Sequence, residues 1–411
     1  MRNSRYFQCV SRWLRAGLKR AAFSSVMFSA ALGLAVPANA ADPINIGATA
    51  SITGKYAESG KYYEQAYRLW EAQTNAAGGL LGRPVEVTIY DDKSDPDTGL
   101  SLYEQLITVD RVDLILGPYT SAVINPVSAL AEKYGKLFLQ GGGNSAALFE
   151  RGFKYMFLTL PGLAHDFPAA MVDYLAEKPD SEQPKTAAIL FLDNQAMVAE
   201  VAGLKAELEG IGIKVVYEEK IPENIADLSS TMAQVQNSGA DVVFGHLFLP
   251  QGVMAVRAAK QVGYAPKAFW LSVGPALGEW GTTLGADGNF IWGSTMFSPA
   301  ANTPGLDKFV SAFEGKYGKL PGYHAAAAYA AAQILADAIT ATNSLDDDTL
   351  RDYVAGHSFS TVIGELSWDD AGRPKPSILL VQWQDGKQQI IRPAAAATAE
   401  PVYPAPSWSE R

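Results

Sequence analysis

Two short segments carry the groups best suited to capturing an anion. Pro118-Tyr119-Thr120-Ser121 follows an apolar run ending at Gly117 and opens a helical pattern. Gly141-Gly142-Gly143-Asn144-Ser145 follows the run Leu137 to Gln140. Both read as strand-to-helix turns, where backbone N–H groups are free and glycine lets a ligand approach the main chain. With the positive end of a helix dipole added, the two turns suit a carboxylate. Tyr119, Thr120 and Asn144 lead the candidates, with Ser121, Gly142 and Gly143 beside them. A glycine-rich loop alone is a weak signal and equally fits a plain tight turn.

No catalytic or metal pattern accompanies these turns. The four histidines form no His-Glu-x-x-His or other metal spacing. A Gly-x-Ser-x-Gly elbow and a Gly-x4-Gly-Lys phosphate loop are both missing. Asp91-Asp92-Lys93-Ser94-Asp95-Pro96-Asp97 is acidic, but it lacks the central glycine and terminal glutamate of an EF-hand loop. It reads instead as a solvated turn leading into a helix cap. An exported hydrolase assembled from scattered residues leaves no signature in sequence, and no site argues for one. The expectation is a protein that is not an enzyme and holds no cofactor or metal.

The front of the chain bounds where it works. Arg2, Arg5, Arg12, Arg15, Lys19 and Arg20 precede an apolar stretch from Ala21 to Val36, followed by Ala38-Asn39-Ala40. A basic start, a short apolar run and small residues before a cleavage point make a secretory signal peptide cut after Ala40. The run is short for a bilayer span. The single cysteine, Cys9, lies within this leader, so the mature chain has no disulfide and no lipid-attachment cysteine. Removing the leader's six basic residues from a chain of net charge −10 leaves −16. So acidic a chain is a poor partner for nucleic acid or an anionic membrane.

Repeated βα units position the two turns. Val85, Val87 and Ile89 alternate with Glu86, Thr88 and Tyr90, a strand. Tyr63, Ala66, Tyr67 and Trp70 share one helix face that Gly78-Gly79 would end. Asp95-Pro96 starts a helix with proline at its first position, and Leu102, Leu106 and Val109 make its buried stripe. Leu114 to Leu116 is a strand; Val123, Val127, Leu130, Ala131 and Tyr134 form the next helix face. The alternation restarts with the strand Ala187 to Leu192 and a helix with Met197, Val201, Leu204, Leu208 and Ile211 inward. A strand from Ile213 to Tyr217, a helix with Leu228, Met232 and Val235, and a strand from Asp241 to Gly245 follow. The pattern is α/β, with two doubly wound parallel-sheet lobes. Ligands of such folds bind beyond the carboxyl ends of the strands.

Seven motifs, in order and at family spacing, sharpen this. They are Ile44-Asn45-Ile46-Gly47; Thr53-Gly54-Lys55-Tyr56-Ala57; Asn75 to Pro84, with its Gly78-Gly79 and Gly82-Arg83-Pro84; Tyr90 to Pro96; Ile115-Leu116-Gly117-Pro118; Glu150 to Tyr155; and Thr361-Val362-Ile363-Gly364 with Leu366-Ser367-Trp368-Asp369. The chain resembles the leucine/isoleucine/valine-binding protein family of periplasmic solute receptors, the type I binding-protein fold, from the mature start to about Gly386. That resemblance implies a two-lobed clamp joined by a three-stranded hinge. It implies a periplasmic receptor that hands a small solute to the permease and ATPase subunits of an ABC importer, a monomer by default. A sensor built on the same clamp, reporting to a membrane receptor, is the alternative. The resemblance also places solute contacts in both turns and at Tyr56.

The chain departs from that family where the ligand's charges are held. The family's Ser/Thr-rich segment falls at Gly142-Gly143-Asn144, and two pocket tyrosines fall at Ala196 and Phe248. The acid expected to meet an ammonium falls near Ser272 to Gly274, where no carboxylate stands. Asp193 or Glu279 could supply one, since a buried unpaired ammonium costs several kcal/mol. The solute is therefore a hydrophobic amino acid, or else a hydrophobic or aromatic carboxylate or an amide. Further loop candidates are His165, beside Leu163 and Ala164, then Asn194 and Gln195, Phe248 with Gln251, Ser272, and Tyr323-His324. The crossings expected from the family put lobe 1 at 42–157 and 298–360 and lobe 2 at 161–291 and 368–392. The proline- and alanine-rich segment 393–411 has no core pattern and is expected to be a tail lying loose or along the surface.

Overall fold

Ile44, Ile46, Ala48 and Ala50 have no exposed surface, because the strand that carries them is flanked on both sides. The computed structural model describes residues 42–411; the leader and its cleavage point lie outside the described residues. The first unit runs β1 (Ile44–Ala50), α1 (Ala57–Ala76), β2 (Val85–Asp91), α2 (Pro96–Thr108), β3 (Leu114–Leu116), α3 (Ser121–Tyr134), β4 (Phe138–Gln140) and β5 (Met156–Leu158). Its sheet has the order β2-β1-β3-β4-β5, with every pairing parallel. Parallel strands need helical cover on both faces. Here α1 packs on β2, and α2 packs on β1 and α3.

The chain then crosses to a second sheet through α4 (Asp166–Ala176), β6 (Thr186–Leu192), α5 (Gln195–Gly210), β7 (Lys214–Ile221), α6 (Ser229–Asn237), β8 (Val242–His246), α7 (Leu249–Gln261), β9 (Ala268–Leu271), α8 (Glu279–Leu284) and β10 (Ile291–Thr295). It returns to the first unit as α9 (Leu306–Tyr317), α10 (Tyr323–Thr342), α11 (Asp347–Gly356), β11 (Phe359–Thr361) and β12 (Gly364–Leu366). A third crossing adds β13 (Leu379–Gln384) and β14 (Lys387–Arg392) to the second sheet, whose order is β14-β13-β10-β9-β8-β6-β7. That sheet is parallel except at one edge, where β10–β13 and β13–β14 are antiparallel. Asp385 and Gly386, both at positive φ, turn the β13–β14 hairpin, a geometry that Asp-Gly favours.

The returning helix α10 completes the first lobe. It packs on α1 and β4, and Tyr329 of α10 donates to Gln73 Oε1 of α1 at 2.5 Å across 256 residues. Its alanines at 325–328 and 330–332 are wholly buried, so the small side chains let the helix lie close against its neighbours.

Local chemistry explains where elements start and stop. Asp95 caps α2, its side chain accepting from Thr98 N at 2.8 Å, with Pro96 as first helical residue. Asp95→Ala should cost about 1 kcal/mol, read as a lower urea midpoint with unchanged slope. Val109, expected inside, is 71% exposed because α2 has already ended; Tyr103 takes the buried place beside Leu106. Tyr134 likewise turns outward at the end of α3, 37% exposed.

Of the two states expected for the segment 393–411, loose or along the surface, the structure shows the second: it is tied along the second lobe. Gln382 is wholly buried and needs partners for its amide. It donates to Val402 O at 2.8 Å and accepts from Val402 N at 2.9 Å. Ala405 N donates to Lys267 O at 2.8 Å, and Trp408 Nε1 to Tyr264 O at 2.8 Å. Among the described residues, no helix is long and apolar enough to cross a membrane.

Candidate functional site

Between the two sheets, beyond the carboxyl ends of their parallel strands, lies a chamber of about 180 Å³. Each wall is the start of a helix or the loop before one. Tyr56 precedes α1; Tyr119, Thr120 and Ser121 join β3 to α3; Gly142, Asn144 and Ser145 follow β4; and Tyr323 opens α10. From the other lobe come Phe167 of α4, Asn194, Met197 and Glu200 at the start of α5, Phe248 before α7, and Ser272 and Val273 after β9.

The first-lobe wall is the anion-receptive one. Thr120 is the N-cap of α3, yet its side chain bonds no helix amide, and its Oγ1 is buried without a partner. The first intrahelical bond is Ile124 N to Thr120 O at 2.8 Å, so the N–H groups of the preceding turn point out of the helix toward its N-terminal end. Hydroxyl and helix terminus together form a seat for a carboxylate. The glycine turn does not contribute in the way the sequence suggests. Gln140, wholly buried, uses its Oε1 to accept from Gly142 N at 3.0 Å and Gly143 N at 2.7 Å, and donates to Gly143 O at 2.9 Å. Those amide N–H groups are spent inside the protein. Glycine is still required at 142, where a Cβ would stand 2.5 Å from Pro118 O and collide with the neighbouring turn.

The second-lobe wall holds a carboxylate that the loop pattern does not point to. Glu200 is 7% exposed, and its Oε2 lies 2.7 Å from His246 Nδ1 at the end of β8. Burial pushes its carboxyl above the usual value, and the bond from His246 pulls it back only in part. An ionised carboxylate has about four acceptor positions, so capacity remains for a ligand's donor. His246 is itself held by the Trp270 ring, 5.2 Å between centroids. The sequence signal was an acid set among Met197, Val201 and Leu204 on the buried face of α5, where no acid should sit without a partner.

Aromatic rings complete the enclosure. Tyr119 meets Tyr56 edge-on at 6.1 Å, Tyr63 at 5.5 Å and His324 at 4.9 Å. Burial pushes the Tyr119 hydroxyl up to about 12 and holds His324 down to about 3, so both are neutral at pH 7.

Of the thirteen residues that sequence proposed, the chamber brings together Tyr56, Tyr119, Thr120, Ser121, Gly142, Asn144, Asn194, Phe248, Ser272 and Tyr323. Ser272 Oγ is engaged with the Leu247 backbone, which joins the ends of β8 and β9. Gly143 faces away, its Cβ direction occupied by Leu148 and Ile124. His165 is the N-cap of α4, with a side chain 48% exposed and 3.5 Å from Asp166, outside the lining. The side chains of Gln195 and Ala196 lie outside the described residues. Neither acid suggested by sequence reaches the chamber: Asp193 pairs with Lys220 at 3.1 Å, and Glu279 meets Tyr62 OH at 3.4 Å in adjoining space. No group of three or more His, Cys, Asp or Glu among the described residues could hold a metal ion.

Comparison with known proteins agrees with this architecture. A family model described as periplasmic binding protein matches residues 43–388. The Leu/Ile/Val-binding protein homolog 8 of Brucella melitensis biotype 1 is 28% identical over 412 residues, covering 95% of this chain and 98% of the relative. Among solved structures, the substrate-binding protein of a branched-chain amino acid transporter from Streptococcus pneumoniae, in complex with isoleucine, aligns with a TM-score of 0.75 at 21% identity, covering 86% of this chain and all of that one. A solute-binding protein from Rhodopseudomonas palustris BisB5, in complex with 3,4-dihydroxybenzoic acid, aligns at 0.73 with 20% identity, covering 90% and 100%.

Proposed function

Because this chain belongs to the periplasmic binding protein family, of the leucine/isoleucine/valine-binding type, we propose that it captures a small amino acid by its zwitterionic head between its lobes and delivers it to an ABC importer. The family consists of solute-binding components of such importers rather than enzymes, and its place of work is the periplasm. The leader is cut after Ala40, and the mature monomer docks on a permease driven by ATPase subunits. Lobe 1 (42–157 and 298–360) closes on lobe 2 (161–291 and 368–392) about the three crossings. A ligand touching both lobes favours the closed form by its differential affinity for it.

One observation carries the amino-acid reading: an acid, Glu200, faces the same chamber as the N-terminus of α3. A zwitterion satisfies both, its carboxylate at Thr120 and Ser121 and its ammonium at Glu200. The ring-rich wall of Tyr56, Tyr119, Phe167, Phe248 and Tyr323 supports a second reading, an aromatic carboxylate of the kind bound by the Rhodopseudomonas protein.

A thermal-shift panel on residues 41–411 separates the two. Leucine, valine, isoleucine and phenylalanine are compared with their deaminated acids and with benzoate. Ligand at a hundred times its Kd adds about 2.7 kcal/mol, a rise of several degrees. Stabilisation by the amino acids alone is expected. Stabilisation by the deaminated acids or benzoate alone would sink the amino-acid reading and leave the aromatic carboxylate.

A further inference from the structure

The chamber around Glu200 is not the whole cleft. Tyr56, Tyr119, Phe248 and Tyr323 line it, and the same four rings line a second chamber of about 260 Å³ on their other side. They form a waist between two spaces. The inner chamber, about 180 Å³, falls short of the roughly 300–1,000 Å³ usual for small-molecule sites, and only the two chambers together reach that range.

The outer chamber is rich in acceptors. Glu58, Glu223 and Glu279 border it, and so does Gln251, whose Nε2 donates to Glu223 O at 2.9 Å while its Oε1 is buried without a donor. His324 lines the same space at 2% exposure with neither ring nitrogen partnered, and its neutral ring offers one acceptor and one donor. The one lysine in the lining, Lys55, is already placed, its Nζ 4.7 Å from the Tyr56 ring centre and attracted by Glu223. Lys319 stands outside the lining, 3.6 Å over the Tyr62 ring, and is attracted by Glu279 and Glu58 without a hydrogen bond to either. Buried acceptors without donors are rare in native proteins, and a ligand that brings N–H groups satisfies them. Tyrosine and phenylalanine rings at a waist also suit a planar or cationic nitrogen group, which ring faces attract.

We propose that the solute is two-ended: its head occupies the inner chamber, and an unbranched arm carries an N–H-rich group, such as an amide, ureido, guanidinium or ammonium, through the waist to Gln251, Glu279 and His324. The inference rests on the reading of the inner chamber as a seat for an amino-acid or carboxylate head.

Titration calorimetry with L-norleucine, L-citrulline and L-arginine tests it, because the three share a head and an unbranched arm and differ at the tip. Citrulline and arginine should bind at least tenfold more tightly than norleucine. Gln251→Leu and Glu279→Gln, each checked for an unchanged melt without ligand, should each cut that advantage to under threefold and leave norleucine binding as it was. Arginine ahead of citrulline would assign the gain to charge, and equality would assign it to hydrogen bonding; both support the proposal. Norleucine binding as tightly as the other two, or variants that leave the advantage intact, overturn it. Binding of leucine, phenylalanine or benzoate with none of the three also overturns it, while the head-group reading survives. If none of these solutes binds, the head-group reading falls as well.

Discussion

Glu200→Gln should weaken binding of a neutral L-amino acid by about a hundredfold and leave the corresponding deaminated acid bound as well or better. The carboxamide keeps an oxygen to accept from His246 Nδ1, so the local packing survives. What disappears is the charge offered to an ammonium, and hydrogen bonds to charged groups are worth about 1.5–3 kcal/mol, or one to two decades of affinity. The wild-type protein should also lose affinity as pH falls, because the ionised carboxylate is the binding form. Burial has raised the Glu200 carboxyl, so the loss should begin above the 4.5 of an ordinary glutamate. Calorimetry across that range, with the variant as control, checks both points. A variant that binds leucine normally, with a flat pH profile in both proteins, would remove Glu200 from the site.

Asp92→Ala is expected to cost the fold about 3 kcal/mol or more. Asp92 has no exposed surface, and its two oxygens accept from Thr49 Oγ1 at 2.8 Å, Ser51 Oγ at 2.7 Å and Ser94 N at 2.9 Å. Alanine takes this acceptor from all three buried donors and leaves Thr49 Oγ1 and Ser94 N without a partner there. Ser51 Oγ also reaches Tyr119 O at 3.3 Å, so the damage should extend to the turn that seats the ligand. Asp92→Asn, which keeps one acceptor oxygen, should cost clearly less. Urea denaturation would give both values; an alanine variant within 1 kcal/mol of wild type would show that water replaces the carboxylate.

That aspartate shows where sequence reasoning stops. Its acidic run reads as a solvated turn and cap, and Asp95 does cap α2. Asp92, three residues earlier, is wholly buried, because β1 and β2 bring Thr49 and Ser51 against it. The strands, helix faces and turns were legible because hydrophobic periodicity is local. The places of Thr120 and Asn144 on the chamber wall were legible because parallel sheets fix where their loops gather. Glu200 was not, since its partner His246 is 46 residues away and comes close only when β8 lies beside β6. The glycine turn misled for a similar reason: Gln140 ends an apolar run, and a buried amide must satisfy itself on the nearest backbone. His165 sits in the right loop, but the start of α4 turns it toward solvent.

The late return of α10 has a consequence for how the chain is made. The five strands of the first sheet are synthesised early, yet the helix that packs on α1 and β4 arrives only after the seven-stranded sheet's parallel strands are complete. Until then, the helix faces that α10 will cover stay open to water and to other nascent chains. Closing so long a loop is also slow compared with local pairing. The lobe begun first therefore waits for residues made after five strands of the second, and a ribosome stalled before residue 323 leaves its helix faces bare.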